Sequence, residues 1–125
     1  IKSAMPASAR REKQHPAKRS FQAIRLEVNG ELDAAAQGID AGVDRLAPGG
    51  RIAVISFHSL EDRLVKNIFA KGAQGCICPK EYPVCVCGQK PRLKLVHKGV
   101  ITASEGELEE NPRARSAKLR VAEKL

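Results

Sequence analysis

The chain has 125 residues, 42% of them hydrophobic, with four aromatics and no tryptophan, so its length suits one domain with an aliphatic core. Its formal charge is +8, and the excess sits at the ends: seven Lys/Arg against one Glu in residues 1–25, five against one in 111–125, and ten against twelve acidic residues between. No apolar run approaches the roughly 20 residues that a membrane-spanning helix needs, and no signal-peptide pattern is present.

Two basic ends point to a phosphate-bearing partner, because each cation that neutralises a phosphate releases counterions. A solubilising charge excess is the plain alternative. The expected compartment is the cytoplasm, where four cysteines serve as thiols or metal ligands more often than as disulfides. The start at Ile1 is what a piece of a longer or processed protein would show.

Residues 1–19 carry Pro6, Pro16 and six basic side chains without hydrophobic period, which predicts a basic arm or linker. From Ser20 the pattern changes. Phe21, Ile24, Val28, Leu32, Ala35, Ile39, Val43 and Leu46 recur at steps of three and four, predicting one long helix capped by Ser20 and stopped by Pro48-Gly49. Asn29-Gly30 lies in its middle, and two helices are the alternative. Gln22 and Arg25 lie off the apolar stripe, on a face open to solvent or to a ligand.

After the turn Pro48-Gly49-Gly50, residues Ile52 to Phe57 form a short apolar run without polar alternation, as in a parallel strand buried on both faces. Ser59 is the expected N-cap of the next helix, with Asp62 in the capping-box position and Leu60, Leu64 and Ile68, flanked by Val65 and Phe69, as the apolar face. Lys71-Gly72 marks its end. Ligands of open α/β sheets bind outside the carboxyl ends of strands, and this strand ends in Ser56, His58 and Ser59.

Residues 73–92 form a loop with Cys76, Cys78, Cys85 and Cys87 spaced C-x-C-x6-C-x-C. Four thiolates brought together suit a structural zinc ion; disulfides and free thiols are the rivals. Residues 93–98 and 117–123 read as strands that pair as an antiparallel edge, and Ser104-Glu105-Gly106-Glu107 as the start of a helical turn. The fold class is α/β: long helix, buried parallel strand, helix, then two late antiparallel strands.

Three stretches go beyond fold class. His15-Pro16-Ala17-Lys18-Arg19-Ser20-Phe21-Gln22-Ala23-Ile24-Arg25, the segment from Leu46 to Lys66, and Asn111-Pro112-Arg113-Ala114-Arg115-Ser116-Ala117-Lys118-Leu119-Arg120 resemble, in this order, segments of the RsmH (MraW) family. Its members are S-adenosylmethionine-dependent small-subunit rRNA cytosine-N4 methyltransferases. The resemblance covers residues 15 to 125. It implies the C-terminal part of a Rossmann-like methyltransferase domain over residues 20–125, with 1–19 following the family's inserted helical domain.

The resemblance further implies S-adenosylmethionine as cofactor and 16S rRNA or the small ribosomal subunit as partner. His58 or Ser59 would contact the base or cofactor, and two groups would contact RNA: Lys13, Lys18, Arg19 and Arg25, and Arg113, Arg115, Lys118 and Arg120. No aromatic residues interleave these cations, so base stacking by them is not expected. The chain departs from the family in lacking a glycine-rich loop after a first strand and an acidic residue after a second, since Gly49-Gly50 precedes a late strand without G-x-G-x-x-G spacing. No cofactor-binding residue is therefore expected in this chain, which alone would be inactive. One flank of the Ile52–Phe57 strand would lack its partner, a route to homo-oligomers. A basic RNA-binding module with a metal loop, or a structural fragment without chemistry, are the readings from other classes.

Overall fold

A computed structural model of the protein describes all residues except Ile1, 11–14, Pro16, Lys80 and Tyr82. Glycine decides the first architectural feature. Gly30 adopts a left-handed conformation (φ 58°), and its N–H turns back to the carbonyls of Glu27 and Leu26, ending helix α2 (Lys18–Asn29). Helix α3 (Glu31–Arg45) begins at the next residue. The single long helix expected from Ser20 is thus two helices. Only one residue separates them, which is why the apolar phase runs through without slipping. Ser20 does not cap: α2 starts at Lys18, where His15 Nδ1 accepts the Ala17 N–H at 3.2 Å.

The chain forms two compact units, residues 1–34 and 35–125. In the first, a 3-10 turn (Lys2–Ala4) and one helical turn, α1 (Ala7–Arg10), occupy part of the expected arm. Arg25 spans the helix break with two hydrogen bonds to the Glu31 carboxylate, at 2.8 and 3.0 Å. The apolar stripe of α2 stays exposed at Phe21, Ile24 and Val28.

The second unit is built on a three-stranded sheet of order β1-β3-β2: β1 (Arg51–Ser56), β2 (Leu93–Leu95) and β3 (Lys118–Lys124). Both pairings are antiparallel, with Arg51 opposite Glu123, Ser56 opposite Lys118, and Leu95 opposite Ala122. The expectation of a parallel β1 buried on both faces is corrected here. The closing strand β3 lies in the middle, and β1 pairs along one edge only among the described residues. Burial in β1 alternates: Ile52, Val54 and Ser56 face inward, while Ile55 is 60% exposed. The run lacks polar alternation because its outer positions, Ala53 and Ile55, are apolar yet uncovered in this chain.

Helices α3 and α4 (Ser59–Ala73) close the core from one side with Ile39, Val43, Val65 and Phe69, which meet Leu93 of β2 and Ala122 of β3, and Ile52, Val54, Ile68 and Leu95 pack against this cluster. Phe69, 2% exposed, is the largest side chain inside, and its burial contributes about 2–3 kcal/mol. Leu60, expected on the buried stripe, is 42% exposed, so the buried line of α4 runs through Val65 and Phe69 instead.

The cap of α4 also differs from expectation. His58, not Ser59, is the N-cap: its Nδ1 accepts the Glu61 N–H, and the Glu61 carboxylate accepts the N–H groups of Phe57 and His58. This one-residue shift leaves Asp62 free to receive Arg120 from β3 through two hydrogen bonds, 2.8 and 3.2 Å, with Lys118 Nζ at 3.6 Å. The Arg120 hydrogen bonds, aided by both cations, hold the Asp62 carboxyl below its usual range against the opposing effect of desolvation.

Helix α4 continues past Lys71-Gly72, because Gly72 serves packing and not termination. A Cβ there would lie 2.6 Å from Leu93 Cδ1, in contact with a side chain that is itself only 3% exposed. Strand β2 is shorter than the expected 93–98, since the chain bends after Leu95 and Gly99 N–H bonds His97 Nδ1. Helix α5 (Glu105–Glu110) is capped by Ser104 as read from sequence, and β3 falls within one residue of its expected bounds. No helix among the described residues is long and apolar enough to cross a membrane.

Two outcomes follow. Gly72→Ala should destabilise the protein by about 1–3 kcal/mol through overpacking against Leu93, despite alanine's better helix propensity; an unchanged midpoint in urea unfolding would contradict the close approach. Because the folded Asp62 pKa lies below its unfolded value of 3.8, its contribution is complete above that pH and is lost as pH falls through the lower folded value. Asp62→Asn should therefore cost about 2 kcal/mol at neutral pH, leaving Arg120 half-satisfied, and should flatten the acid limb of the stability curve.

Candidate functional site

The end of β1 and the first turn of α4 form a polar tip. Ser56 is buried, and its hydroxyl donates to the Lys118 carbonyl at 3.5 Å across the β1–β3 ladder. The backbone then turns outward at Phe57, which is 58% exposed. Both ring nitrogens of His58 face Glu61: Nδ1 takes its N–H, and Nε2 lies 2.9 Å from its Oε1, off the line of a hydrogen bond. An Nδ1 that accepts leaves the neutral ring's proton on Nε2, beside the carboxylate. The imidazole is thereby held as a helix cap. What the tip offers outward is the exposed Ser59 beside Phe57 and Leu60.

Glu61 is the member of this tip that sequence reasoning missed. Its signal is the spacing His58-x-x-Glu61, a capping box in which histidine replaces the usual Ser or Thr. Phe57, expected in the buried strand, stands in solvent at the tip.

The closing basic segment is drawn to the same end of the sheet by strand register, because Lys118 sits opposite Ser56. Just before it, a 3-10 turn (Pro112–Ser116) buries Ala114 and leaves Arg113 and Arg115 on either side exposed. Neither arginine has a partner among the described residues. Lys118 is intermediate, 36% exposed at its side chain and shared with Asp62, whereas Arg120 is 15% exposed and occupied by Asp62. Of the N-terminal group, Lys18 and Arg19 are exposed on α2, Arg25 is paired with Glu31, and Lys13 lies outside the described residues.

The four cysteines converge elsewhere, on the loop after α4. Their sulfurs all lie within 4.8 Å of one another, and none is in a disulfide. The Cys78 N–H lowers the Cys76 thiol, but hydrogen bonds shared with the other three sulfurs outweigh it and push it up to about 12. Cys87, which accepts backbone N–H groups of Gln89 and Ile77, is lowered to about 6. Adjacent sulfurs cannot all carry negative charge without a compensating cation.

The paired glycines do not form a nucleotide cradle. Gly49, at φ 81°, donates its N–H to the Lys124 carbonyl, and a Cβ on Gly50 would lie 2.8 Å from the Ala47 carbonyl oxygen. Both positions are used by the turn that starts β1. This turn therefore supplies no glycine-rich phosphate-binding loop.

Comparison with known proteins places the sequence in a family. The sequence profile of the MraW methylase family matches residues 1–125. The ribosomal RNA small subunit methyltransferase H of Carboxydothermus hydrogenoformans is 63% identical over 122 residues, covering 98% of this chain and 39% of that protein. The proteins of the same name from Heliobacterium mobile and Acetivibrio thermocellus are 60% and 59% identical over 125 residues, all of this chain and 40% of each relative. The chain thus spans about 40% of the length of these curated relatives. Matched along its whole length by the family profile, the chain belongs to the MraW methylase family.

Proposed function

We propose that the chain is the substrate-facing, C-terminal portion of an rRNA methyltransferase that moves a methyl group from S-adenosylmethionine to the N4 amine of a cytosine in 16S rRNA. The observation that carries this reading is the convergence of the β1 tip with the basic closing segment, where Lys118 stands opposite Ser56. The names of the relatives support the rRNA substrate. We assign donor binding to parts of the enzyme outside this chain, since Gly49-Gly50 serves the turn that starts β1 and lacks G-x-G-x-x-G spacing. The one-sided pairing of β1 supports a place for this sheet within a larger Rossmann-like one.

The chemistry asked of these residues is modest. The N4 lone pair of cytosine is delocalised into the ring, so an acceptor that orients the amine raises its reactivity. The base must also leave its stack to be reached. Ser59 Oγ, exposed in the first turn of α4, is the acceptor in this reading. His58 is a positioning residue that sets the angle of that turn through Glu61. Arg113 and Arg115 hold phosphates, which position the RNA without reading its sequence.

Two measurements on the intact enzyme test this. Ser59→Ala should lower kcat by tenfold or more with little change in stability, whereas His58→Asn, which keeps an N-cap acceptor, should retain most activity. The opposite ranking would transfer the acceptor role to His58. Arg113→Ala with Arg115→Ala should weaken RNA binding at low salt and reduce the slope of log K against log salt by about two. An unchanged slope would remove these arginines from the RNA surface.

A further inference from the structure

The loop over residues 74–92 has no hydrophobic core. None of its described residues is buried, and Ile77, Val84 and Val86 are 57%, 70% and 74% exposed. Yet its four sulfurs meet. Cys76 and Cys85 are 3.3 Å apart, Cys85 and Cys87 3.6 Å, and Cys87 and Cys76 3.7 Å. Apolar burial cannot draw these side chains together, since the apolar neighbours point to solvent. Some other attraction must hold the loop.

We propose that Cys76, Cys78, Cys85 and Cys87 bind one zinc ion as a closed four-thiolate structural site. In a tetrahedral site with Zn–S bonds of about 2.3 Å, neighbouring sulfurs stand about 3.8 Å apart, close to the separations here. The three separations among Cys76, Cys85 and Cys87 are nearly equal and Cys78 Sγ lies within 4.8 Å of each, an arrangement around one centre; two disulfides would sort the sulfurs into near and far pairs. The narrow C-x-C spacing is accommodated because the residue between each pair, Ile77 or Val86, turns outward, letting both sulfurs of the pair face inward. Backbone donors complete the shell: Cys78 N–H to Cys76 Sγ and Val86 N–H to Cys78 Sγ, both 3.4 Å. Such N–H···S bonds favour the thiolate form that a metal needs.

The base of the loop is already closed. Arg92 N–H bonds the Gly72 carbonyl at 2.8 Å, Gln89 Nε2 reaches the Gln74 carbonyl at 3.4 Å, and Gly88 turns the chain at φ 62° after the last cysteine. A metal at the sulfurs therefore fastens the far part of a loop rooted between α4 and β2. With all four positions filled by protein, no open coordination site remains, so the ion is structural. On binding, each sulfur that enters as a thiol releases one proton to solvent, and no redox step is involved.

Metal analysis of the intact protein, purified without chelator, should find one zinc per chain. Cobalt substitution should give the intense visible d–d bands of tetrahedral cobalt together with thiolate-to-cobalt charge transfer. Cys78→Ser with Cys85→Ser should abolish both and speed proteolysis within residues 74–92, while the rest of the chain keeps its helical circular dichroism. If those variants fail to fold, the cobalt spectrum of the unaltered protein still decides. Four freely titratable thiols with no bound metal and no tetrahedral cobalt spectrum would overturn the proposal, as would iron in place of zinc or disulfides found by mass spectrometry.

Discussion

The structure of residues 35–125 depends on the insertion of β3 between β1 and β2. Ala122, at the centre of this strand, is fully buried, and small enough to let Phe69, Leu93 and Ile39 close over the sheet. Without β3 the other two strands share no hydrogen bonds. Its side chains also secure both helices: Arg120 pairs with Asp62 of α4, and Lys124 Nζ reaches the carbonyls of Val43 and Asp44 at the end of α3, at 2.9 and 3.0 Å. A cation on those terminal carbonyls satisfies acceptors that the helix itself leaves open. The last strand in sequence is thus the first in structural importance.

That order was only half legible in the sequence. The bounds of β3 and α5 follow from period and capping, and both were read closely. Strand order does not follow, because a period-2 pattern says which residues alternate and nothing about which strand lies beside them. Ile52 to Phe57 misled for a related reason. An unbroken apolar run does not tell which of its faces is covered, and Ile55 and Phe57 stand exposed while Ile52 and Val54 face inward. At Asn29-Gly30 the local turn signal outweighed the continuous apolar phase, since the left-handed Gly30 breaks the helix while costing a single residue of register.

The tip of β1 shows how small shifts change chemical roles. Reading Ser59 as the cap made Asp62 its capping-box partner and left His58 open for contact with a ligand. With His58 as the cap, Glu61 takes the reciprocal position, Asp62 becomes the anchor of Arg120, and Ser59 emerges as the exposed hydroxyl. Three residues exchange roles through a displacement of one position. Histidine is an uncommon cap, and preference statistics that favour Ser, Thr, Asp and Asn could not have identified it. The spacing to Glu61 could have.

The same register that places Lys118 opposite Ser56 sorts the basic residues by function. Along β3 every second side chain must face the helices, so Lys118 and Arg120 fall on the side of Asp62 and serve the fold in graded measure, Arg120 fully and Lys118 in part. Arg113 and Arg115 precede the strand in a 3-10 turn whose inward residue is Ala114, which projects both guanidinium groups away from the core. Four cations that look equivalent as a charge run are thus divided by backbone geometry into two that face solvent and two that brace the sheet. In the proposed function the exposed pair would meet a phosphate backbone without disturbing the Asp62 clamp, so the cations open to a ligand and those that brace the fold are different side chains.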